Sequence, residues 1–264
     1  MITILNQDEI DIYHRDGLVV PRFKLPIKLL DLMKVELSPY LSEDPFTAPD
    51  FVPDLMESGF GLKFGRTELL IQAVTQLIGG DFVLWAAGLF GKPARIGKPT
   101  PWHQDAVYWP IRPMAACTVR VAIDPSNSDN GCFRYVPSSH KAHAISSHEK
   151  HDPSLYALNH GIVNPIECEK SSREVILEPG QISIHDAFLL HSSRPNYSGQ
   201  RRVAITFRYM PTTSHFDRDV ARALHHEQGF PDISNRKLYL VSGRNLCKKN
   251  EVLYVPNDKD LQMQ

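Results

Sequence analysis

The sequence lacks the features by which several classes of protein are recognised. Its four cysteines lie far apart and form no Cys-x-x-Cys pair, which predicts reduced thiols rather than a disulfide framework or a zinc site. No apolar run approaches the roughly 20 residues that span a bilayer, and the acidic N-terminal segment does not resemble a signal peptide. The formal net charge of −1 gives no reason to expect a nucleic acid or a membrane surface as a partner. We therefore expect a soluble, cytoplasmic protein.

Helical patterns fill the first part of the chain. Segments 5–23, 25–41 and 66–80 carry apolar residues at helical spacing. The first helix is expected to end at Gly17 and to lead into a strand at Leu18–Val20, and the third is expected to begin at Thr67 and to stop at the pair Gly79–Gly80. Between the second and third helices, Pro45 to Gly65 is rich in Pro, Gly and Asp and predicts a loop.

Short β-prone segments follow from residue 81, separated by Gly, Pro, Asn and Asp. Helices followed by many short strands predict an α+β fold, with a double-stranded β-helix (a cupin-like jelly roll) and flanking N-terminal helices. We expect one domain over 1–264, with helical padding at 1–80, the jelly-roll core at 81–212 and a C-terminal extension at 213–264. The polar segment His140–Asn164 predicts a long insertion that serves as a lid or binding loop.

The segment PWHQDAVYWP contains two candidate metal ligands, His103 and Asp105. On an extended chain both side chains point to one face, while that of Gln104 points away. The best candidate for a third ligand is His191 in FLLHSSRPN, although His185 competes with it. Two histidines and one carboxylate leave three positions of an iron ion open, as non-haem Fe(II) oxygenases require. An HxD motif alone is a weak signal, because it often arises by chance.

Eleven residues after His191, Arg202 begins the segment RRVAITFRYM. Alternation places Arg202, Ala204, Thr206 and Arg208 on one face of this strand and Val203, Ile205 and Phe207 on the other. An arginine on the cavity side can hold a carboxylate through paired N–H donors, which a lysine cannot match. A surface position is the alternative, and it suits Arg201 better.

Four stretches of the chain resemble the phytanoyl-CoA dioxygenase family of Fe(II)/2-oxoglutarate oxygenases. They are DEIDIYHRDGLVV, HQDAVYWP, DNGCFRYVPSSHK and LLHSSRPNYSGQRRVAITFRYMP. The resemblance covers most of the chain and is weakest over the His140–Asn164 loop and the C-terminal tail. It implies iron held by His103, Asp105 and His191, with the distal carboxylate of 2-oxoglutarate on Arg202.

The resemblance implies further roles and a reaction. Ser193 matches a position that helps to hold the cosubstrate, and Trp109 matches an aromatic wall of the same pocket. The expected reaction consumes O₂ and 2-oxoglutarate, releases succinate and CO₂ and hydroxylates an unactivated C–H, with ascorbate as the reductant in an assay. Related halogenases lack the metal-binding carboxylate. Asp105 is present, so hydroxylation is favoured over chlorination.

The substrate is less well defined. On TVRVAID, Arg120 shares the polar face with Thr118 and Ala122, so it is a candidate buried cation for an anionic substrate, unless Asp124 pairs with it. Arg208 and Tyr108 are further candidates. The segments RYMPTTSHFDR and NRKLYLVSGRNLCKKN resemble a branch that hydroxylates 2-aminoethylphosphonate. The alternatives are a hydroxylase of an acyl-CoA, an amino acid or a secondary metabolite, and a non-catalytic cupin-like binding protein.

Overall fold

Most of the helices come before the long strands in the computed structural model, which describes residues 3–41, 44, 46 and 49–255. Within these ranges the α-helices are α1 (Gln7–Asp16), α2 (Ile27–Leu37), α3 (Phe60–Gly65), α4 (Glu68–Ile78), α5 (Ile166–Ser171) and α6 (Arg218–Gln228). The strands are β1 (Leu18–Val19), β2 (Phe51–Val52), β3 (Phe82–Lys92), β4 (Thr100–His103), β5 (Ile111–Arg112), β6 (Cys117–Ala122), β7 (Phe133–Tyr135), β8 (His148–Lys150), β9 (His160–Ile162), β10 (Arg173–Val175), β11 (Ile182–Asp186), β12 (His191–Ser193), β13 (Arg202–Pro211), β14 (His215–Phe216), β15 (Leu238–Ser242) and β16 (Val252–Tyr254).

Two sheets form the core of the fold. The larger sheet has the strand order β1-β11-β6-β13-β3-β15-β16, with β2 also paired to β3. The smaller sheet has the order β10-β7-β12-β4 and carries the HxD segment at its edge. All of these pairings are antiparallel except the one between β15 and β16. Connections that cross from one sheet to the other are those of a jelly roll, which confirms the predicted α+β fold class.

Side chains alternate across the larger sheet as the sequence predicts. The outer face carries Val119 and Val121 of β6 and Val203, Ile205 and Phe207 of β13, which pack against the helices α1, α2 and α4 in one apolar core. The inner face carries Thr118 and Arg120 of β6 and Arg202, Thr206 and Arg208 of β13, which line a cavity. Each strand therefore places its apolar side chains in the core and its polar ones at the cavity.

The predicted helix ends are confirmed where local capping decides them. Helix α1 begins with a capping box between Asn6 and Glu9, and it ends at Gly17, whose φ of 82° lies in the left-handed region that glycine adopts without strain. Helix α4 follows Thr67 and ends before Gly79. The strand after α1 pairs with β11, so this N-terminal segment belongs to the larger sheet.

The loop prediction for Pro45–Gly65 is wrong in part. Within it the structure has strand β2 and helix α3, while residues 45, 47 and 48 lie outside the described residues. Helix α3 contains Gly61 and Gly65, at which a Cβ would lie 2.8 Å from the Cβ of Ala87 and 2.7 Å from a methyl carbon of Leu84. These glycines lower the helix propensity but let the helix lie directly on β3, so tertiary packing decides the structure here.

Two other segments contain more regular structure than expected. The insertion His140–Asn164 contains the two-stranded ribbon of β8 and β9, and the extension from residue 213 adds α6 and places β15 beside β3. The boundaries drawn at residues 80 and 212 and the role of the insertion stay predictions. In the described part of the chain, no helix is both long enough and apolar enough to cross a membrane. The cytoplasmic location also stays a prediction.

Candidate metal centre and adjoining cavities

Three side chains of the predicted metal site come together at the inner edge of the smaller sheet. His103 ends β4 and His191 begins β12, and the two residues lie opposite each other in the antiparallel register. Their ring centroids are 4.0 Å apart. Asp105 Oδ1 lies 3.8 Å from His103 Nε2 and 3.9 Å from His191 Nε2. All three residues are buried, and their ligand atoms lie within 4.8 Å of one another, close enough for one metal ion to contact all three.

Backbone carbonyls fix the orientation of both imidazoles. His103 Nδ1 lies 2.9 Å from the carbonyl oxygen of Pro101, and His191 Nδ1 lies 2.9 Å from that of Leu189. Because a carbonyl can only accept a hydrogen bond, each Nδ1 must carry the proton and donate. Each Nε2 then presents its lone pair toward Asp105, which is the arrangement that metal-binding histidines adopt.

The second oxygen of Asp105 has partners of its own. Thr118 Oγ1 donates a hydrogen bond to Oδ2 over 3.3 Å, and His185 Nε2 lies 3.4 Å from the same atom. Both come from the larger sheet, since Thr118 lies on β6 and His185 lies opposite it on β11. Oδ1 is thereby directed at the two histidines. His185, the competing candidate ligand, lies behind Asp105 instead of beside His103.

The charge states at this site suit a divalent cation. Burial lowers the pKa of His103, and it lowers the pKa of His191 further because His103 is close by, so both rings are neutral at pH 7. Burial raises the pKa of Asp105, but the His185 contact and the charges around the site, including Arg208, outweigh it and hold this pKa below its usual range. Two neutral imidazoles and one carboxylate are the donor set that Fe(II) accepts.

Gln104 points away from its two neighbours, as the parity of the segment predicts, but the structure gives it a use that sequence reasoning missed. Its Nε2 donates to the carbonyl oxygens of Phe188 (2.8 Å) and Ala144 (3.0 Å). Its Oε1 accepts from the backbone N–H of Ser146 over 2.8 Å. The residue between two candidate metal ligands therefore ties them to the segment before His191 and to the insertion. A single glutamine in an extended segment gives no sequence signal of these contacts.

Two of the predicted cosubstrate residues, Ser193 and Arg202, line a small cavity next to the metal site. Its lining includes the three metal-site residues His103, Asp105 and His191, together with Ser193, Arg202 and Arg120. Arg202 is buried, and its Nε has no hydrogen-bond partner among the described residues. Asp124 does not pair with Arg120, because its Oδ2 accepts from Arg201 Nε over 3.0 Å. The cavity thus has two guanidinium groups ready for an anion.

A larger cavity of about 690 Å³ meets the small one at His103, Asp105 and Arg208, which line both. Tyr108 lies on its wall, with its hydroxyl donating to the carbonyl oxygen of His160 over 3.0 Å. Trp109 also lies on this wall and contacts Trp85 edge to face, with ring centroids 5.1 Å apart. Trp109 therefore lines the larger cavity and not the one with Arg202. Its expected place beside the cosubstrate stays a prediction, as do the roles of Tyr108 and Ser193.

The C-terminal extension supplies walls of the larger cavity that sequence reasoning did not identify. Phe230 packs on Tyr108 with ring centroids 4.7 Å apart, and Arg236 lies nearby with its Nη1 3.0 Å from Asp54 Oδ2. Residues Pro153 and Tyr156 to Asn159 of the insertion line the same cavity. The local sequence signal for this wall is Phe230 in HHEQGFPD, but an aromatic residue there could equally belong to the core.

Comparisons with known proteins agree with this architecture. A family model described as phytanoyl-CoA dioxygenase (PhyH) matches residues 69–204, just over half of the chain. The peroxisomal phytanoyl-CoA dioxygenase of Bos taurus is 23% identical over 212 residues, which cover 73% of this chain and 62% of that protein. A probable alpha-ketoglutarate-dependent hypophosphite dioxygenase of Stutzerimonas stutzeri is 26% identical over 139 residues, covering 52% of this chain and 48% of the relative.

The solved structure of the apo form of ThoJ, a non-heme monooxygenase, has a TM-score of 0.70 and 23% identity over 94% of this chain and 87% of that one. At this identity the likeness shows the fold. The chain spans about half to three fifths of the length of the two curated relatives named above. The family match extends from helix α4 through the metal-site segments to the arginine strand β13. The chain belongs to the phytanoyl-CoA dioxygenase family.

Proposed function

We propose that this protein is an Fe(II)/2-oxoglutarate-dependent oxygenase that hydroxylates an unactivated C–H bond of an organic anion. The convergence of His103, Asp105 and His191 carries the proposal, because their free ligand atoms surround one point. Iron bound there, together with O₂ and 2-oxoglutarate, supplies the oxidation and leaves succinate and CO₂ as coproducts. The family match supports the same reaction.

The chain's own residues prepare the site for this metal. The backbone carbonyls of Pro101 and Leu189 hold the two rings with Nε2 inward, so little freedom is lost when the ion binds. Thr118 occupies the second oxygen of Asp105, which leaves one carboxylate oxygen for the metal. Three protein ligands leave room for a chelating cosubstrate and O₂.

The small cavity suits the cosubstrate. Arg202 lines it together with the metal-site residues, with an unpaired Nε and no salt bridge to a carboxylate among the described residues. A buried guanidinium without an anion is costly, so the site favours a ligand that brings one. 2-Oxoglutarate would place its distal carboxylate at Arg202 and its oxo acid end at the metal. Ser193 lines the same cavity and offers a hydroxyl.

The larger cavity is the proposed substrate site. Its volume of about 690 Å³ lies in the range that accommodates drug-sized ligands, roughly 300–1,000 Å³. Trp85, Tyr108, Trp109 and Phe230 give it apolar walls. Arg208 stands at its inner end beside the metal site, with its Nε unpaired. Burial lowers the pKa of Arg208, while Asp105 opposes this shift. A substrate with an anionic group near the reacting C–H and an apolar body behind it would contact both Arg208 and the apolar walls.

2-Aminoethylphosphonate is the smallest candidate of this kind. Supporting it are the cation at Arg208, the resemblance of the C-terminal segments to its hydroxylases and the relative described as a hypophosphite dioxygenase. It would leave most of the larger cavity and its aromatic walls without contacts. These walls favour a larger anion, such as an aryl or alkyl carboxylate, an acyl thioester or an anionic secondary metabolite.

Succinate formation across a substrate panel tests the proposal. The panel contains 2-aminoethylphosphonate, amino acids, aryl and alkyl carboxylates and acyl-CoAs, each with Fe(II), 2-oxoglutarate and ascorbate. We expect turnover with an anion that carries an apolar body. Arg208→Met should raise the KM for that substrate about 30-fold or more, because truncating one partner of a buried charge pair costs about 2–5 kcal/mol.

Arg222→Met is the matched control, since Arg222 is an exposed residue of α6 that pairs with Asp219. Its KM should equal that of the unmodified protein. If no panel member stimulates succinate formation above the rate without substrate, the proposed class of substrate is refuted. If Arg208→Met leaves KM unchanged for the accepted substrate, the anion is not held at Arg208.

A further inference from the structure

Three cationic side chains lie buried close together, and two of them, Arg120 and Arg202, line the small cavity. Lys92, Arg120 and Arg202 are 1%, 3% and 4% exposed. Lys92 donates to the carbonyl oxygen of Lys98. Arg120 Nη1 and Arg202 Nε have no hydrogen-bond partner among the described residues. One carboxylate at Arg202 alone would leave Arg120 without an anion, and burying an unpaired guanidinium costs several kcal/mol.

The sheet register explains why these cations are close. Lys92 of β3 lies opposite Arg202 of β13, and Arg120 of β6 lies opposite Thr206 of the same strand. Arg202 and Thr206 share the inner face of β13, so both arginines point to one cavity. Burial lowers the pKa of Arg120 to about 10, and burial together with the charge of Arg120 lowers that of Arg202. The two guanidinium groups therefore interact.

No described protein group neutralises Arg120. Asp124 is bonded to Arg201, and Cys132, which lies near both arginines, is a thiol whose pKa burial raises. Arg120 also does not face the substrate site, because it lines the small cavity while Arg208 lines both cavities. Asp50, which also lines the small cavity, pairs with Lys98 over 3.9 Å. Because Arg120 has no salt bridge among the described residues, the site favours an anion that enters the small cavity.

We propose that Arg120 is a second guanidinium for the cosubstrate, so that Arg120 and Arg202 together hold the distal carboxylate of 2-oxoglutarate. The inference rests on the proposed function and concerns the same site. A carboxylate has about four acceptor positions on its two oxygens, enough for two planar guanidinium groups. A 2-oxo acid without the distal carboxylate would leave both arginines unpaired. Arg120 thereby becomes a residue that determines specificity for a dicarboxylate.

Calorimetric titration of the Ni(II)-loaded protein tests this without turnover. The ligands are 2-oxoglutarate and 2-oxopentanoate, which has the same chain and no distal carboxylate. Arg120→Gln should raise the Kd for 2-oxoglutarate about 30-fold or more and leave that for 2-oxopentanoate within about twofold. Arg173→Gln, at an exposed arginine of β10, is the control and should leave both values unchanged.

A merely structural role of Arg120 predicts something different. Removing an unpaired buried cation should leave the Tm of the metal-free protein equal or higher, whereas loss of a structural contact would lower it. Arg120→Lys keeps the positive charge but lacks the planar N–H donors of the guanidinium group. This variant should therefore stay folded, yet bind 2-oxoglutarate several-fold more weakly than the unmodified protein. This second variant decides the matter if Arg120→Gln does not fold.

The outcomes separate the inference from the proposed function. If the unmodified protein binds 2-oxoglutarate and both Arg120 variants bind it equally well, the second guanidinium is refuted while the oxygenase proposal stands. If Arg120→Gln raises the substrate KM and leaves the 2-oxoglutarate Kd unchanged, Arg120 serves the substrate and the inference is overturned. If the unmodified, metal-loaded protein binds no 2-oxoglutarate, the proposed function and the inference both fail.

Discussion

Replacing Gln104 by leucine should destabilise the protein by about 2–4 kcal/mol. Leucine has a similar size but can make none of the three hydrogen bonds of the amide. The bond to the Phe188 carbonyl is buried, and leaving that oxygen without a donor costs about 1–3 kcal/mol. The bonds to Ala144 and Ser146 lie in an exposed segment, where water can replace the amide, so they add about 0.5 kcal/mol each.

Urea unfolding of the metal-free protein measures this loss as a lower transition midpoint with an unchanged slope. Hydrogen exchange should accelerate at residues 144–148, because Gln104 ties that segment to the metal-site strand. Gln104→Glu should destabilise more than leucine at pH 7, since its carboxylate would face two carbonyl oxygens. Gln72→Leu is the control, because Gln72 is a helix residue whose side-chain amide donates an exposed hydrogen bond to Glu68. A midpoint for Gln104→Leu equal to that of Gln72→Leu, with unchanged exchange at 144–148, would show that the three hydrogen bonds of Gln104 do not stabilise the protein.

Two further predictions concern the metal site. The folded-state pKa values of His103 and His191 lie below their ordinary value of 6.5, so the unfolded chain binds protons first. The unfolding free energy of the metal-free protein should therefore fall as the pH drops below about 6.5, by up to about 1.4 kcal/mol per pH unit for each histidine, and His191→Phe should flatten this profile. His185→Phe should raise the Ni(II) Kd about 10–100-fold, because it removes a partner of Asp105. The control His226→Phe, on the surface of α6, should leave the Kd unchanged. Equal Kd values for the two variants would show that His185 has no part in positioning Asp105.

The sequence could predict those parts of the fold that depend on local periodicity. The alternation along β6 and β13 indicates which side chains face the cavity, because a strand permits two faces and the apolar set must face the core. The capping residues of α1 indicate its ends for a similar local reason. The spacing of His103 and Asp105 places both side chains on one side because the intervening Gln104 is extended, although Asp105 itself already begins a short 3₁₀ turn.

Features that depend on long-range packing could not be predicted in this way. Helix α3 forms in a glycine-containing segment because those glycines allow contact with β3, and no local pattern reports that contact. The sequence also could not show which cavity each buried arginine lines. Parity alone puts Arg120 and Arg208 on cavity-facing stripes, but which cavity each one meets depends on the register between β6 and β13 and on the walls contributed by the C-terminal extension.

We propose that His103, Asp105 and His191 hold one Fe(II) ion, which would supply the oxidative decarboxylation of 2-oxoglutarate. The most direct test is succinate release from 2-oxoglutarate by the purified protein with and without added Fe(II), compared with Asp105→Ala. Asp129→Ala, at an exposed carboxylate in the turn before β7, is the matched control. We expect succinate release that requires Fe(II), persists in Asp129→Ala and is lost in Asp105→Ala. Release at the unmodified rate by Asp105→Ala, or release that does not need Fe(II), would contradict the proposal.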